Sequence, residues 1–245
     1  MTEGERLFNT LQDCVVAHVS ERVSKLVFDK RNQLDFAIVT SYCSILEKAW
    51  ALLALVDKQM GGQGLPILRA QFETFADLKL LCDDAEYIKH LELRREKAIH
   101  KRLILAKSGN PYLGVIAKEF DLEGQLSEVG KRMQELKSRG AKLLEPAEKF
   151  EMAELSAERE AIYAHLSDHS HGGIGASISR HMRVLSDEDF EIAAFQDESK
   201  DNSVPSMQTS LDIVLRASQI IHEYYNTGEG DYFQSMIESF SLESA

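Results

Sequence analysis

Residues 66–84 read PILRAQFETFADLKLLCDD, and the spacing of their apolar side chains separates helix from strand. Ile67, Phe72, Phe75, Leu78 and Cys82 recur at intervals of three to five residues. At 3.6 residues per turn these positions gather on one face, whereas the two-residue alternation of a strand would divide them between two. The spacing therefore predicts an amphipathic helix with one face turned to a core.

The same period extends in both directions. It predicts helices over 3–27 and 32–59, the second through Phe36, Val39, Ile45, Leu46 and Leu53. GGQGLP interrupts the pattern: Gly61 and Gly62 suit a left-handed cap, and Pro66 suits the first turn of the next helix. A charged helix follows over 86–108 and stops at SGNP. Weaker helices are predicted over 112–120 and 123–144, the latter too charged to be deeply buried. A long helix runs from 148 into the histidine-rich stretch YAHLSDHSHGGIG. The period fails from 176, and 176–205 reads as a loop or arm in which DEDFEIAAF is a short strand or irregular segment. A last long helix covers 207–225, and a tail helix follows NTGEGD. Segments this long leave no room for a large sheet. The expected fold is all-α, a single bundle of about seven to nine helices over 1–245.

Composition narrows the function classes. Lys and Arg number 28 against 40 Asp and Glu, a net charge of −12, which argues against a general binder of nucleic acid or anionic membrane. MTEGERLFNT lacks the basic and apolar regions of a secretory leader, and the longest apolar run, AWALLALV, is too short to span a bilayer. Cys14, Cys43 and Cys82 lie far apart in apolar-periodic segments and are expected to be reduced core residues. A cytoplasmic location, no membrane and no cofactor are the expectations.

Chemistry concentrates in AIYAHLSDHSHGGIG, residues 161–175. On a helix, Ile162, Tyr163 and Leu166 form the core stripe, with Arg159 and Ser170 beside it. His165 and His169 stand one turn apart on a flank, and His171 falls at the helix end. Three readings compete. The H-x-x-x-H spacing lets two imidazoles share a metal ion, but Leu166 occupies the place of the glutamate in H-E-x-x-H. One of His165, His169 and His171 can act as general acid or base. Histidines also favour a helix C-terminus, where they meet the last carbonyls and the dipole.

Arg69 and Glu73 form an i, i+4 pair beside Phe72 and Phe75. Exposed, such a pair adds about 0.3–0.5 kcal/mol. At the edge of a core it needs a partner from another helix, for which Tyr163, Ser167 or a histidine qualifies.

The succession of LPILRAQFETFADLKLL and YAHLSDHSHGG resembles the bacterial family of unknown function numbered 5677. Its pattern is an R-x-x-x-E helix followed by a Y-x-x-L-S-x-x-x-H helix, matched here by Arg69 and Glu73, then Tyr163, Leu166, Ser167 and His171. The resemblance covers about 50–173 and implies that these polar residues converge in a helical bundle. It implies no reaction. That family is similar, more distantly, to HEPN proteins, helical bundles of bacterial toxin and defence systems, many of which cut RNA with an R-x4–6-H motif. Arg95 and His100, Arg159 and His165, and Arg216 and His222 have that spacing. The resemblance implies an arginine on the scissile phosphate, a histidine moving the 2′-hydroxyl proton, no metal, and a site built across a homodimer. Arg94, Arg95, Lys97, Lys101, Arg102 and Lys107 form the clearest basic stretch for a nucleic-acid backbone, interleaved with Glu92 and Glu96. Two classes stay open: a metal-independent ribonuclease or toxin acting on RNA, and a non-catalytic helical module that receives a ligand or a protein partner.

Overall fold

Thr2 opens the first helix, α1 (Glu3–Asp13), through a capping box: its hydroxyl accepts from the Glu5 N–H, and the Glu5 carboxylate accepts from the Thr2 N–H. The structure, a computed structural model, describes residues 1–15, 20–170, 173–186, 189–194 and 198–243. After α2 (Ser20–Val23), Asn32 caps α3 (Gln33–Asp57), and α4 (Leu65–Asp83) carries Pro66 in its first turn. Then come α5 (Ile88–Lys107), α6 (Gly114–Glu119), α7 (Leu122–Ser138) and α8 (Pro146–Met152). Next, α9 (Ser156–Glu158), a π-turn over Arg159–Tyr163 and α10 (Ala164–Ser170) make one continuous rod. The chain closes with α11 (Ile174–His181), strands β1 (Met182–Ser186) and β2 (Asp189–Ile192), α12 (Val204–Tyr224) and α13 (Gly230–Glu243). The architecture is all-α with one small hairpin, in which Val184 pairs with Phe190 and Arg183 with Glu191.

The chain divides into two compact units, Met1–Asp83 with Phe150–Ala245, and Asp84–Lys149. In the larger unit α3 packs on α4 and α12, and α12 also receives α1 and α13. Ile38, Tyr42, Ile45, Ala49, Leu52 and Val56 are buried along α3, meeting a core that includes Phe72, Phe75, Leu211, Val214 and Ile221. By length and composition α3 could cross a bilayer, but this face is committed to the bundle. Three buried polar contacts fix the helices against sliding. Tyr42 and Ser218 hydroxyls lie 2.8 Å apart, Ser210 donates to Gln71 at 2.9 Å, and Gln71 donates to the Ile45 carbonyl at 3.3 Å. The smaller unit gathers Leu93, Leu136, Ala141 and Met133 between α5 and its partner α7.

Four expectations change. The helix predicted over 3–27 stops at Val23, short of 27; residues 14–15 take a π-turn after α1, and 16–19 lie outside the described residues. The helix predicted from 148 is broken between α8 and α9, where Glu154 takes φ +58° and the Leu155 N–H turns back to the Phe150 carbonyl. Gly61 and Gly62 are not left-handed. Gln59 takes that conformation, at φ +58°, and Gly61 is needed for space, since a Cβ there would lie 1.9 Å from Ser203 Oγ. All three cysteines are free, but Cys43 is exposed, because it falls on the outer side of α3.

Candidate functional site

The π-turn places Tyr163 on the buried side of its rod, opposite α4. There Arg69 and Glu73 stand one turn apart. The Arg69 guanidinium donates from Nη2 to the Tyr163 hydroxyl at 2.8 Å, and that hydroxyl donates to Glu73 Oε1 at 2.7 Å. Arg69 Nε also donates to Glu73 Oε1 at 3.1 Å, and its Cζ lies 4.8 Å from the Tyr163 ring centre. Burial pushes the Tyr163 pKa up, and the hydrogen bond to Glu73 pushes it the same way against the opposing pull of Arg69. The phenol keeps its proton, so the polarity of the chain of bonds is fixed from Arg69 through Tyr163 to Glu73. Phe150 stacks against both Phe72 and Tyr163, at 4.7 and 5.1 Å between ring centres, and seals the apolar side. Of the partners that an edge-of-core pair could take from another helix, the structure supplies Tyr163, with Arg69 mostly covered and Glu73 about a third exposed. The hydrogen bonds of Tyr163 to Arg69 and Glu73 tie the α10 rod to α4.

Two and six residues beyond Tyr163 the rod carries His165 and His169, with ring centres 4.6 Å apart. Both line an open cleft of about 350 Å³, the small end of the range for ligand pockets. Across it lie Gly61, Gly62 and Leu65 at the start of α4, Arg180 on α11, and Glu198, Ser203 and Ser206 before and within the first turn of α12. The walls are fastened to one another. Glu198 accepts from the Gly62 N–H at 2.6 Å, the Glu198 N–H donates to the Gln59 carbonyl at 3.0 Å, and Arg180 Nη1 donates to Gln63 Oε1 at 3.5 Å. The cleft thus presents two imidazoles, one guanidinium, the Ser203 hydroxyl and the Glu198 carboxylate, the last held by the Gly62 N–H, while the Ser206 hydroxyl donates to the Ser203 carbonyl.

The remaining sequence candidates fall elsewhere. Arg159, at the first position of the π-turn, is half-buried and is not among the described residues lining the cleft; its Nε has no hydrogen-bond partner among them. Ser167 is half-buried and makes no side-chain hydrogen bond among the described residues. His171 lies outside the described residues. Of the other R-x4–6-H pairs, Arg216 is bound to Glu158 and Asp212, and His222 is buried with Nδ1 on Thr227. Among the described residues no group of three His, Cys, Asp or Glu side chains is placed to hold a metal ion. Arg180, Glu198 and the glycine turn were not legible as site residues. Arg180 and Glu198 belong to the segment where the helical period fails, and the glycines read as punctuation.

The model of a family described as a family of unknown function, DUF5677, matches residues 35–191. The match runs through Arg69, Glu73, Tyr163, His165, His169 and Arg180 and stops before Glu198. No curated protein and no solved structure matches the chain.

Proposed function

The chain belongs to the DUF5677 family of unknown function, and we propose that it is a metal-independent ribonuclease whose acid–base pair is His165 and His169. The observation that carries the reading is the shared cleft: two imidazoles 4.6 Å apart open onto the same space as Arg180. In RNA cleavage the 2′-oxygen attacks the adjacent phosphorus and the bond from phosphorus to O5′ breaks. The products are a 2′,3′-cyclic phosphate and a free 5′-hydroxyl. One neutral imidazole takes the 2′-hydroxyl proton, and the second, as imidazolium, delivers a proton to O5′. Arg180 faces the charge that builds on the non-bridging oxygens, the role the R-x5-H spacing gave to Arg159. The Arg69–Tyr163–Glu73 cluster acts through position, by fixing the height of the histidine helix on α4. The distant HEPN likeness adds a toxin-like role in bacterial defence to this reading.

Single-stranded RNA incubated with the purified protein, with and without EDTA, tests it. Cleavage that survives EDTA and falls by about a hundredfold or more in His165→Ala and in His169→Ala, at unchanged melting temperature, is the expected result. RNA left intact by the parent protein, or cut equally by both variants, returns the cleft to a non-catalytic ligand- or protein-binding module.

A further inference from the structure

The charge of this acidic chain is unevenly divided. The unit Asp84–Lys149 holds fourteen Lys and Arg against eleven Asp and Glu, a net of +3. The remainder holds fourteen against twenty-nine, a net of −15. Within the smaller unit the positive charge is concentrated on α5. Its apolar residues Leu93, Leu103 and Ala106 are buried, and so is Glu96, which pairs with Arg132 at 3.1 Å. Glu92 is half-buried. Arg94, Arg95, Lys97, Lys101 and Arg102 are all exposed. The last four lie within an arc of about 160° at 100° per residue. No carboxylate of the described residues stands within ion-pair distance of those four. The run from 94 to 102 covers about 12 Å of helix axis. On the outer side of α5, then, Arg95, Lys97, Lys101 and Arg102 form a cationic surface that is not ion-paired among the described residues, with Leu105 exposed between them.

We propose that this face of α5 binds the phosphate backbone of single-stranded RNA. Three arguments select that partner. Arginine supplies much of the face, and a guanidinium donates two parallel hydrogen bonds to a phosphate where an ammonium acts as a point charge. A helix that lies in a membrane surface needs a continuous free apolar side, whereas on α5 Leu93, Leu103 and Ala106 are buried and only Ile104 and Leu105 of its large apolar residues are exposed. Shortly after α5, Tyr112 is 94% exposed, in the turn Pro111–Leu113, and offers a ring on which a base can stack. An overall charge of −12 keeps the affinity modest and makes it local to this face. The inference shares with the ribonuclease reading only the class of polymer.

Binding is measured by fluorescence anisotropy of a labelled poly-uridine strand, using the full chain with His165→Ala so that the strand stays whole. Neutralising about four phosphates of a single strand gives a slope near −3 in log affinity against log salt, read between about 50 and 200 mM KCl. Arg95→Glu with Arg102→Glu is expected to weaken binding more than tenfold and to flatten that slope. Lys30→Glu with Arg31→Glu, the same change in net charge on exposed residues of the other unit, is expected to leave both nearly unchanged. Tyr112→Ala is expected to weaken binding without changing the slope. Equal loss in the two charge-reversed proteins, or binding to phosphatidylserine vesicles with none to RNA, overturns the proposal. RNA bound through α5 by a parent protein that cuts nothing sinks the ribonuclease reading and leaves this one standing.

Discussion

The Tyr163 hydroxyl donates to Glu73 at 2.7 Å while accepting from Arg69 at 2.8 Å, so a phenol from one helix completes an ion pair on another. Removing it leaves a partly buried carboxylate and guanidinium each short of one partner. Tyr163→Phe keeps the ring against Phe150 and is expected to cost about 1–3 kcal/mol, read as a lower urea midpoint at unchanged slope. If the cluster fixes the histidine helix, RNA cleavage falls further than stability alone explains. A variant as stable as the parent would show that Arg69 and Glu73 need no third member.

Arg180 and Arg159 separate the cleft from the motif. Arg180 lines the cleft with His165 and His169, and Arg159 does not. Arg180→Ala is therefore expected to lower the cleavage rate by about a hundredfold or more at an unchanged melting temperature. Arg159→Ala is expected to change melting temperature more than rate. The opposite pattern in the paired kinetic and thermal measurements would restore the R-x5-H reading.

Much of this was legible beforehand, for a physical reason. Apolar residues every three to four positions fix α3, α4 and α12, because each helix has one face to bury. Arg69 and Glu73 were legible as a pair at the edge of a core stripe that needs a partner, and Tyr163, on the core stripe of its own helix, was one of the partners that qualified. Arg180 and Glu198 were not legible: Arg180 lies on α11, inside the segment that the period read as a loop or arm, and nothing in a helical period marks a cleft wall. The π-turn over Arg159–Tyr163 was equally hidden, because a sequence written at 100° per residue passes straight through it.

Gly61 shows how little room separates the cleft walls. A Cβ at this position would sit 1.9 Å from Ser203 Oγ, so Gly61→Ala must push the turn before α4 away from the turn before α12. The expected cost is about 1–3 kcal/mol. Ser203→Gly in the same chain removes the obstructing side chain and is expected to restore part of the loss. Denaturant midpoints of the single and double variants measure it. Costs that simply add would place the strain elsewhere.

His222 makes stability depend on pH. It is fully buried, stacked on Phe233, with Nδ1 2.8 Å from Thr227 Oγ1 and with Nε2 lacking a hydrogen-bond partner among the described residues. Burial lowers its pKa, Glu229 opposes the shift, and Arg22 and Lys25 reinforce it. The folded chain therefore holds His222 neutral at a pH where the unfolded chain, titrating near 6.5, already takes up a proton. The stabilisation is complete above that value and is lost as pH falls from it through the depressed pKa of the fold. The Glu229 carboxylate, held below the ordinary carboxylate range by its hydrogen bonds to Lys25 and Arg22, is lost in a separate and more acidic window. Thermal unfolding followed from pH 7.5 downward is expected to show a falling melting temperature beginning near pH 6.5. His222→Gln, which keeps a polar group for Thr227 but does not titrate, is expected to be less stable at pH 7.5 and to show a flatter decline between pH 6.5 and 5. An equally steep decline in the variant would assign the pH dependence to another histidine.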